Sequence, residues 1–276
     1  MQSLQLPAMR HILVTCAGDG LGACVCDLLA SSGQTVFATD MNRHALRRLE
    51  ARPGIFPLIM DVTRPREVSR IRRKIEAMAD GLDGLVCCAG IFAAGPLVEA
   101  AEEDVKRILD VNVMGAYRAV KELFPLLRER KGTVVLIGSE SSRCAMPFNG
   151  PYTVSKSALQ AYADVLRREL MFVGVRVTVV QPGGFRTPLL SGARSLMGRR
   201  RGETFFAAQL SLVQRMLSRE YDKGMEPEKV ARVVVRALRS PRPYYRVGND
   251  PLRVALGKLP ASWTDRLIKW FSPKVG

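Results

Sequence analysis

The stretch Ile12-Leu13-Val14-Thr15-Cys16-Ala17-Gly18-Asp19-Gly20-Leu21-Gly22 decides the fold. A short apolar run enters a glycine cluster, and a helical pattern continues through Leu28 and Leu29, so the order is strand, tight turn, helix. Glycines at such a turn let the backbone approach a pyrophosphate, which the free N–H groups and dipole of the helix N-terminus then hold. A lone glycine cluster is also consistent with a plain tight turn, so the neighbouring segments carry the decision.

Working outward, residues 35–39 read as a second strand ending at Asp40, about 20 residues past the glycines. A carboxylate there accepts hydrogen bonds from a ribose 2′-OH and repels a 2′-phosphate, which predicts NAD rather than NADP. Asp19 in the loop pushes the same way, and Arg43 is the opposing feature. Residues 55–60 form a third strand ending in Asp61-Val62, and a helical pattern follows over about 65–78. Residues 85–88 form a fourth strand closing on Ala89-Gly90, and residues 133–137 a fifth that delivers Gly138-Ser139. This alternation predicts an α/β fold, a single doubly wound (Rossmann-type) parallel sheet with helices on both faces. Ligands of such sheets sit at the carboxyl ends of the strands, where Gly18, Asp40, Asp61 and Gly90 would gather. A long helical region over about 102–130 carries Asn112 midway, with Pro125 expected to bend or break it. A buried Asn112 is either a satisfied core amide or part of a polar relay.

Tyr152-Thr153-Val154-Ser155-Lys156 places a phenol and an ammonium four residues apart. On a helix over about 151–172, marked by Leu159, Tyr162, Val165, Leu166 and Leu170, both side chains share one face. Tyr152 then lies near the positive end of the helix dipole. Both positive fields favour phenolate, which makes Tyr152 a candidate general acid/base near neutral pH.

Length and composition bound the alternatives. The 276 residues are 47% hydrophobic and 25% charged, ordinary for a globular protein. No run reaches the roughly 20 apolar residues that span a bilayer, and residues 1–9 lack a secretory pattern. A cytoplasmic placement, with peripheral membrane contact as a variant, is expected. Six cysteines, Cys16, Cys24, Cys26, Cys87, Cys88 and Cys144, read as small buried thiols, and no metal site is expected. A net charge of +16 raises nucleic acid, anionic membrane and acidic partners. The charge is dispersed and no zinc-finger or aromatic-interleaved basic motif accompanies it, so no nucleic-acid partner is expected.

With these pieces assembled, residues 10–190 resemble the short-chain dehydrogenase/reductase family. The matching motifs are the loop from Thr15 to Gly22, Asp61-Val62, Ala89-Gly90, Asn112, Ser139, the Tyr152 to Lys156 motif, and Pro182-Gly183 followed by Thr187. The resemblance implies that Tyr152 exchanges a proton with the substrate oxygen while hydride moves to or from nicotinamide. It implies that Ser139 holds that oxygen and that Lys156 lowers the Tyr152 pKa and binds the nicotinamide ribose. Asn112 would support a water linking Lys156 to solvent. Cofactor contacts would come from Thr15, Gly18, Gly20, Leu21, Gly22, Asp40, Asp61, Val62, Cys88, Ala89, Gly90, Tyr152, Lys156, Pro182, Gly183 and Thr187. Two departures stand out: Cys16 replaces the first glycine of the loop, and Cys87-Cys88 replace two asparagines.

Beyond Thr187 the residues suggest a substrate lid over about 188–220, rich in Leu189, Leu190, Leu196, Met197, Phe205, Phe206 and Leu210, with Arg199-Arg200-Arg201 as a solvated loop. A helix over about 228–239 and a short strand at 244–248 follow. The variable tail, about 241–276, sets Trp263, Leu267, Ile268, Trp270 and Phe271 beside Arg266, Lys269 and Lys274. Such a helix can lie in a membrane interface, cover the pocket mouth or pack simply. By its tail the chain resembles family members acting on steroids, retinoids and other lipophilic alcohols. The expected protein is one dehydrogenase domain, 1–276, that uses NAD to interconvert a bulky apolar secondary alcohol and its ketone, as a homo-oligomeric dimer or tetramer. The alternatives are a 3-oxoacyl-carrier reductase and a dinucleotide-binding scaffold with little turnover.

Overall fold

The computed structural model describes residues 11–187 and 204–271. In β1, His11–Thr15, successive side chains leave on opposite faces of the sheet. Leu13 therefore enters one apolar core with Phe37, Leu85, Val134 and Val177, and Ile12 and Val14 enter the other with Val36, Val86, Val135 and Val180. Both faces being covered, each central strand is a nearly continuous apolar run, as parallel sheets require.

The remaining strands are β2 (Thr35–Asp40), β3 (Ile55–Ile59), β4 (Gly84–Cys87), β5 (Thr133–Ile137), β6 (Arg176–Pro182) and β7 (Tyr244–Val247). They form one seven-stranded sheet in the order β3-β2-β1-β4-β5-β6-β7, and every pairing is parallel. The doubly wound expectation holds. Strand β6, which the reading above leaves unassigned, is buried from Val177 to Pro182. Pro57 is accommodated because β3 is an edge strand.

One face is covered by α3 (Pro65–Glu76), α5 (Gly115–Glu129) and α6 (Gly150–Leu170), through Val68, Ile71, Ile75, Leu123, Leu127 and Leu159. The other is covered by α1 (Gly20–Ser31), α2 (Arg43–Glu50) and α8 (Pro227–Arg239), through Val25, Leu29, Leu46, Val230, Val234 and Leu238. Three further helices, α7 (Ala207–Asp222), α9 (Pro251–Leu256) and α10 (Ala261–Phe271), belong to the lid and tail.

The long central helix differs from expectation. Pro125 lies inside α5 without ending it. The irregularity falls instead at Asp110–Met114, a π-helical turn between α4 (Glu102–Leu109) and α5, and it turns Asn112 inward to 1% exposure. Wide turns of this kind are frequent at functional sites, where they re-aim one side chain without breaking the helix.

Because the chain order reverses between β1 and β4, the loops after them part and leave a crevice. The turn after β1 is tight enough that a Cβ at Gly22 would overlap the carbonyl oxygen of Cys16, a backbone atom that cannot swing away. Gly22→Ala is expected to cost about 3 kcal/mol, the upper range for overpacking, read as a lower midpoint of urea unfolding; an unchanged midpoint would show that the turn is looser than described.

Candidate active site

The glycine loop is held from three sides. Asp19 caps α1 by accepting the Gly20 N–H at 2.7 Å. The Asp40 carboxylate, buried at the end of β2, accepts the N–H of Gly18 at 2.9 Å and of Asn42 at 2.8 Å. Thr15 Oγ1 accepts the N–H groups of Cys88 (3.0 Å) and Ala89 (3.1 Å), which ties the end of β1 to the end of β4. Those backbone bonds do not need the asparagine amides that Cys87 and Cys88 replace. Cys16 adopts a φ of 53°, the left-handed conformation that suits glycine and costs other residues roughly 1–2 kcal/mol. It is also exposed, at the border of the adjoining cleft, so the buried-thiol expectation fails there; Cys26, Cys87 and Cys144 are buried as expected.

A cleft of about 590 Å³ opens beside this loop, bordered by Cys16, Asp40, Asp61, Val62, Ala89 and Gly90. Asp61 is fixed by accepting the Thr63 N–H (2.9 Å) and hydroxyl (2.7 Å). Val62 is pinned against Gly115, where a Cβ would come within 2.8 Å of Val62 Cγ2. At Gly90 a Cβ would stand 3.4 Å from Asn112 Oδ1 and 3.7 Å from Lys156 Nζ, so the bare glycine keeps the passage to those groups open. Bare backbone at one end, a carboxylate at the strand end and an open channel at the other fit a dinucleotide. Beyond the cleft, Pro182 ends β6, and Gly183 donates its N–H to the Val247 carbonyl at 2.9 Å, packed too closely on Gly248 for any side chain. Thr187 lies at the end of the described run, five residues past Pro182. The lid positions 188–203, including Arg199-Arg200-Arg201, fall outside the described residues.

At the start of α6 the structure brings Ser139, Tyr152, Lys156 and Asn112 together. The Tyr152 phenol and Ser139 share a hydrogen bond. Lys156, 5% exposed, donates from Nζ to the Ile137 carbonyl at 2.8 Å and lies 5.7 Å from the Tyr152 ring centroid. Asn112 Oδ1 accepts the Ile91 N–H (2.8 Å), and its Nδ2 donates to the Ile91 carbonyl (3.0 Å) and to Ser155 Oγ (2.9 Å). Both amide protons are thereby used, which leaves one lone pair of Oδ1 for a further partner.

The expected direction of the tyrosine shift is corrected. Burial pushes the Tyr152 phenol up to about 12, the hydrogen bond with Ser139 pulls it down, and the Glu140 carboxylate adds to the rise. Burial likewise drives the Lys156 ammonium down to about 8. Withdrawal from water opposes both charged forms, and it is the largest cause of each shift.

Sequence reading missed three contributors. Phe92 packs on Tyr152 with ring centroids 4.6 Å apart. Ser155 donates to the Tyr152 carbonyl at 2.7 Å and accepts from Asn112, a role its place inside the motif could have signalled. Glu140, 6% exposed, accepts from Arg253 Nη1 at 2.5 Å and from the Asp250 N–H at 2.9 Å. Its place directly after Ser139 was a signal; its partners more than a hundred residues away were not.

A doubly wound sheet with a glycine-loop crevice and a Ser-Tyr-Lys group at the strand ends defines a dinucleotide-dependent oxidoreductase. The family model for short chain dehydrogenase matches residues 10–197. Human retinol dehydrogenase 5 is 32% identical, over 98% of this chain and 91% of its own length. Rat mitochondrial D-beta-hydroxybutyrate dehydrogenase is 31% identical, over 81% of this chain and 67% of its own. The crystal structure of a short-chain dehydrogenase from Streptomyces avermitilis superimposes with a TM-score of 0.79 at 25% identity, covering 95% of this chain and 97% of that one. The chain therefore belongs to the short-chain dehydrogenase/reductase family, as an oxidoreductase.

The Lys156 shift has a measurable consequence. Between pH 8 and 10.5 the unfolded chain keeps this proton and the folded chain has lost it, so the group makes stability rise with pH across that window. Lys156→Met removes the rise: its stability relative to the parent should fall by about 3 kcal/mol from the lower to the upper limit in urea unfolding. A constant difference would mean that the lysine titrates as it does in water.

Proposed function

We propose that this enzyme uses NAD in preference to NADP to interconvert a secondary alcohol and a ketone on a bulky apolar substrate, steroid-, retinoid- or lipid-like. The observation that carries the reading is Tyr152, hydrogen-bonded to Ser139 and one helical turn from the buried Lys156, beside an apolar wall. That wall is Phe92, Phe148 and Phe206 with the buried Leu210 of α7, and Phe92 touches Tyr152 itself. The name of retinol dehydrogenase 5 supports a lipophilic alcohol.

In this reading the backbone of Gly18, Gly20, Leu21 and Gly22 receives the diphosphate and Asp40 the ribose hydroxyls. Asp61, Val62, Cys88, Ala89 and Gly90, with Thr15 beneath them, enclose the adenosine end, and Pro182, Gly183 and Thr187 the nicotinamide end. The bound nicotinamide supplies or accepts the hydride. Ser139 holds the substrate oxygen, and Tyr152 gives it a proton in reduction or takes one in oxidation. Lys156 extends toward the nicotinamide ribose, and Asn112 offers the remaining Oδ1 lone pair to a water. With its pKa near 12 the phenol is protonated at neutral pH, ready to act as the acid, so alcohol oxidation should accelerate with pH more steeply than ketone reduction.

The reading takes residues 1–276 as one domain working as a dimer or tetramer. Six free thiols suit a reducing, cytoplasmic compartment. The tail is the part that would meet a membrane.

Two measurements test the site. Nicotinamide fluorescence titration should give tighter binding of NADH than NADPH, with Asp40→Ala weakening NADH and improving NADPH; a parent preference for NADPH would overturn the cofactor assignment. On a panel of hydroxysteroids and other lipophilic secondary alcohols, Tyr152→Phe should slow turnover by about 10²- to 10⁴-fold with NADH affinity retained. An undiminished rate would remove Tyr152 from the chemistry.

A further inference from the structure

Helix α10 turns its apolar stripe outward. Trp263, Leu267 and Trp270 recur four and three residues apart, one face of a helix, and are 62%, 37% and 75% exposed. Thr264 and Ile268, around the helix from them, are the less exposed positions, and the Thr264 hydroxyl donates to the Leu256 carbonyl at 3.2 Å. An ordinary surface helix has the opposite arrangement. Arg266 borders the stripe and Lys269 lies further round on the same side, while Asp265, the one acidic residue of α10, lies opposite it. Leu252 and Leu259, in the segment leading to α10, are also exposed.

We propose that α10 lies flat in the interface of an anionic membrane, with Trp263, Leu267 and Trp270 at the acyl boundary and Arg266 and Lys269 at the lipid phosphates. Its 11 residues extend about 16 Å, too short to cross a bilayer but long enough to rest in its plane. Among the described residues no helix is long and apolar enough to cross a membrane. Charge selects the occupant. From Arg239 to Phe271 seven basic residues stand against two acidic ones, Asp250 and Asp265; Asp250 is engaged in capping α9 and Arg253 is paired with Glu140, which leaves six basic residues against Asp265. An anionic surface attracts such a segment. A second copy across a two-fold axis would instead set the same basic residues, in a chain of net charge +16, against one another.

The chain has two tryptophans, and both are on this helix, so its intrinsic fluorescence reports the face directly. The full-length protein is titrated at low and physiological salt with vesicles of mixed phosphatidylserine and phosphatidylcholine, and with vesicles of phosphatidylcholine alone. Emission should shift to the blue, with co-sedimentation, on the anionic vesicles and much less on the neutral ones. Arg266→Gln with Lys269→Gln, which keeps both fluorophores, should weaken partition about 25-fold, roughly fivefold per charge. Trp263→Ala should weaken it further while Trp270 still reports, and far-ultraviolet circular dichroism checks that each variant is folded. Absence of a blue shift on anionic vesicles, or equal partition of the charge variant and parent, would overturn the proposal. So would a blue shift without vesicles that grows with protein concentration together with a doubled mass, which assigns the face to a second copy.

Discussion

The Lys156 ammonium, buried and held by the carbonyl at the end of β5, is the constraint on which the carboxyl edge of the sheet depends. A charge withdrawn from water is tolerated only where fixed acceptors stand around it. The Ile137 carbonyl can serve because β5 ends there, beyond its last paired residue in the ladder to β4. Helix α6 must then begin where a lysine in its second turn reaches that carbonyl. This sets Tyr152 one turn earlier over Ser139, which the same strand delivers. The helix start, the strand end and the Ser-Tyr contact are thus one geometric solution.

Asn112 extends the same logic to a third element. A regular helix from Glu102 to Glu129 would carry the amide past the Ile91 backbone; the π turn lets it accept, donate and donate again. The helix gives up regular bonds in one turn and, in exchange, the loop after β4 is joined to Ser155 of α6. The passage between cleft and catalytic group at Gly90 is defined by that join, because both Asn112 Oδ1 and Lys156 Nζ look onto it.

What was legible in the sequence was local. Strand runs such as Ile12–Thr15 and Thr133–Ile137, the glycine loop, and the four-residue spacing of Tyr152 and Lys156 are set by periodicity and backbone freedom within a few residues. Asp40 was legible as a strand-end carboxylate by its distance from the loop, though not as the acceptor that holds the Gly18 N–H. The failures share a cause: they concern quantities that only packing determines. The rise of the Tyr152 pKa comes from burial, which no spacing encodes. Pro125 could remain inside α5 because neighbouring helical residues such as Leu123, Leu126 and Leu127 anchor it in the core. Cys16 is exposed on a left-handed backbone that a cysteine rarely adopts.

Glu140 links the catalytic edge to the tail. A buried ion pair is weak evidence for stability, because desolvation of both charges offsets their attraction. Its geometric effect is firmer. The carboxylate is taken by Arg253 and by the Asp250 backbone at the start of α9, and Gly257 at the other end of that helix sits so close to the Arg143 carbonyl that a Cβ would be 2.8 Å away. Helix α9 is therefore clamped at both ends to the turn that begins with Ser139. Four residues separate α9 from α10, and the Thr264 hydroxyl bonds back to the Leu256 carbonyl across that gap. The outward apolar stripe of α10 is thus held in a fixed relation to Ser139 by a short chain of direct contacts, so whatever covers the stripe also sets the orientation of that edge of the sheet.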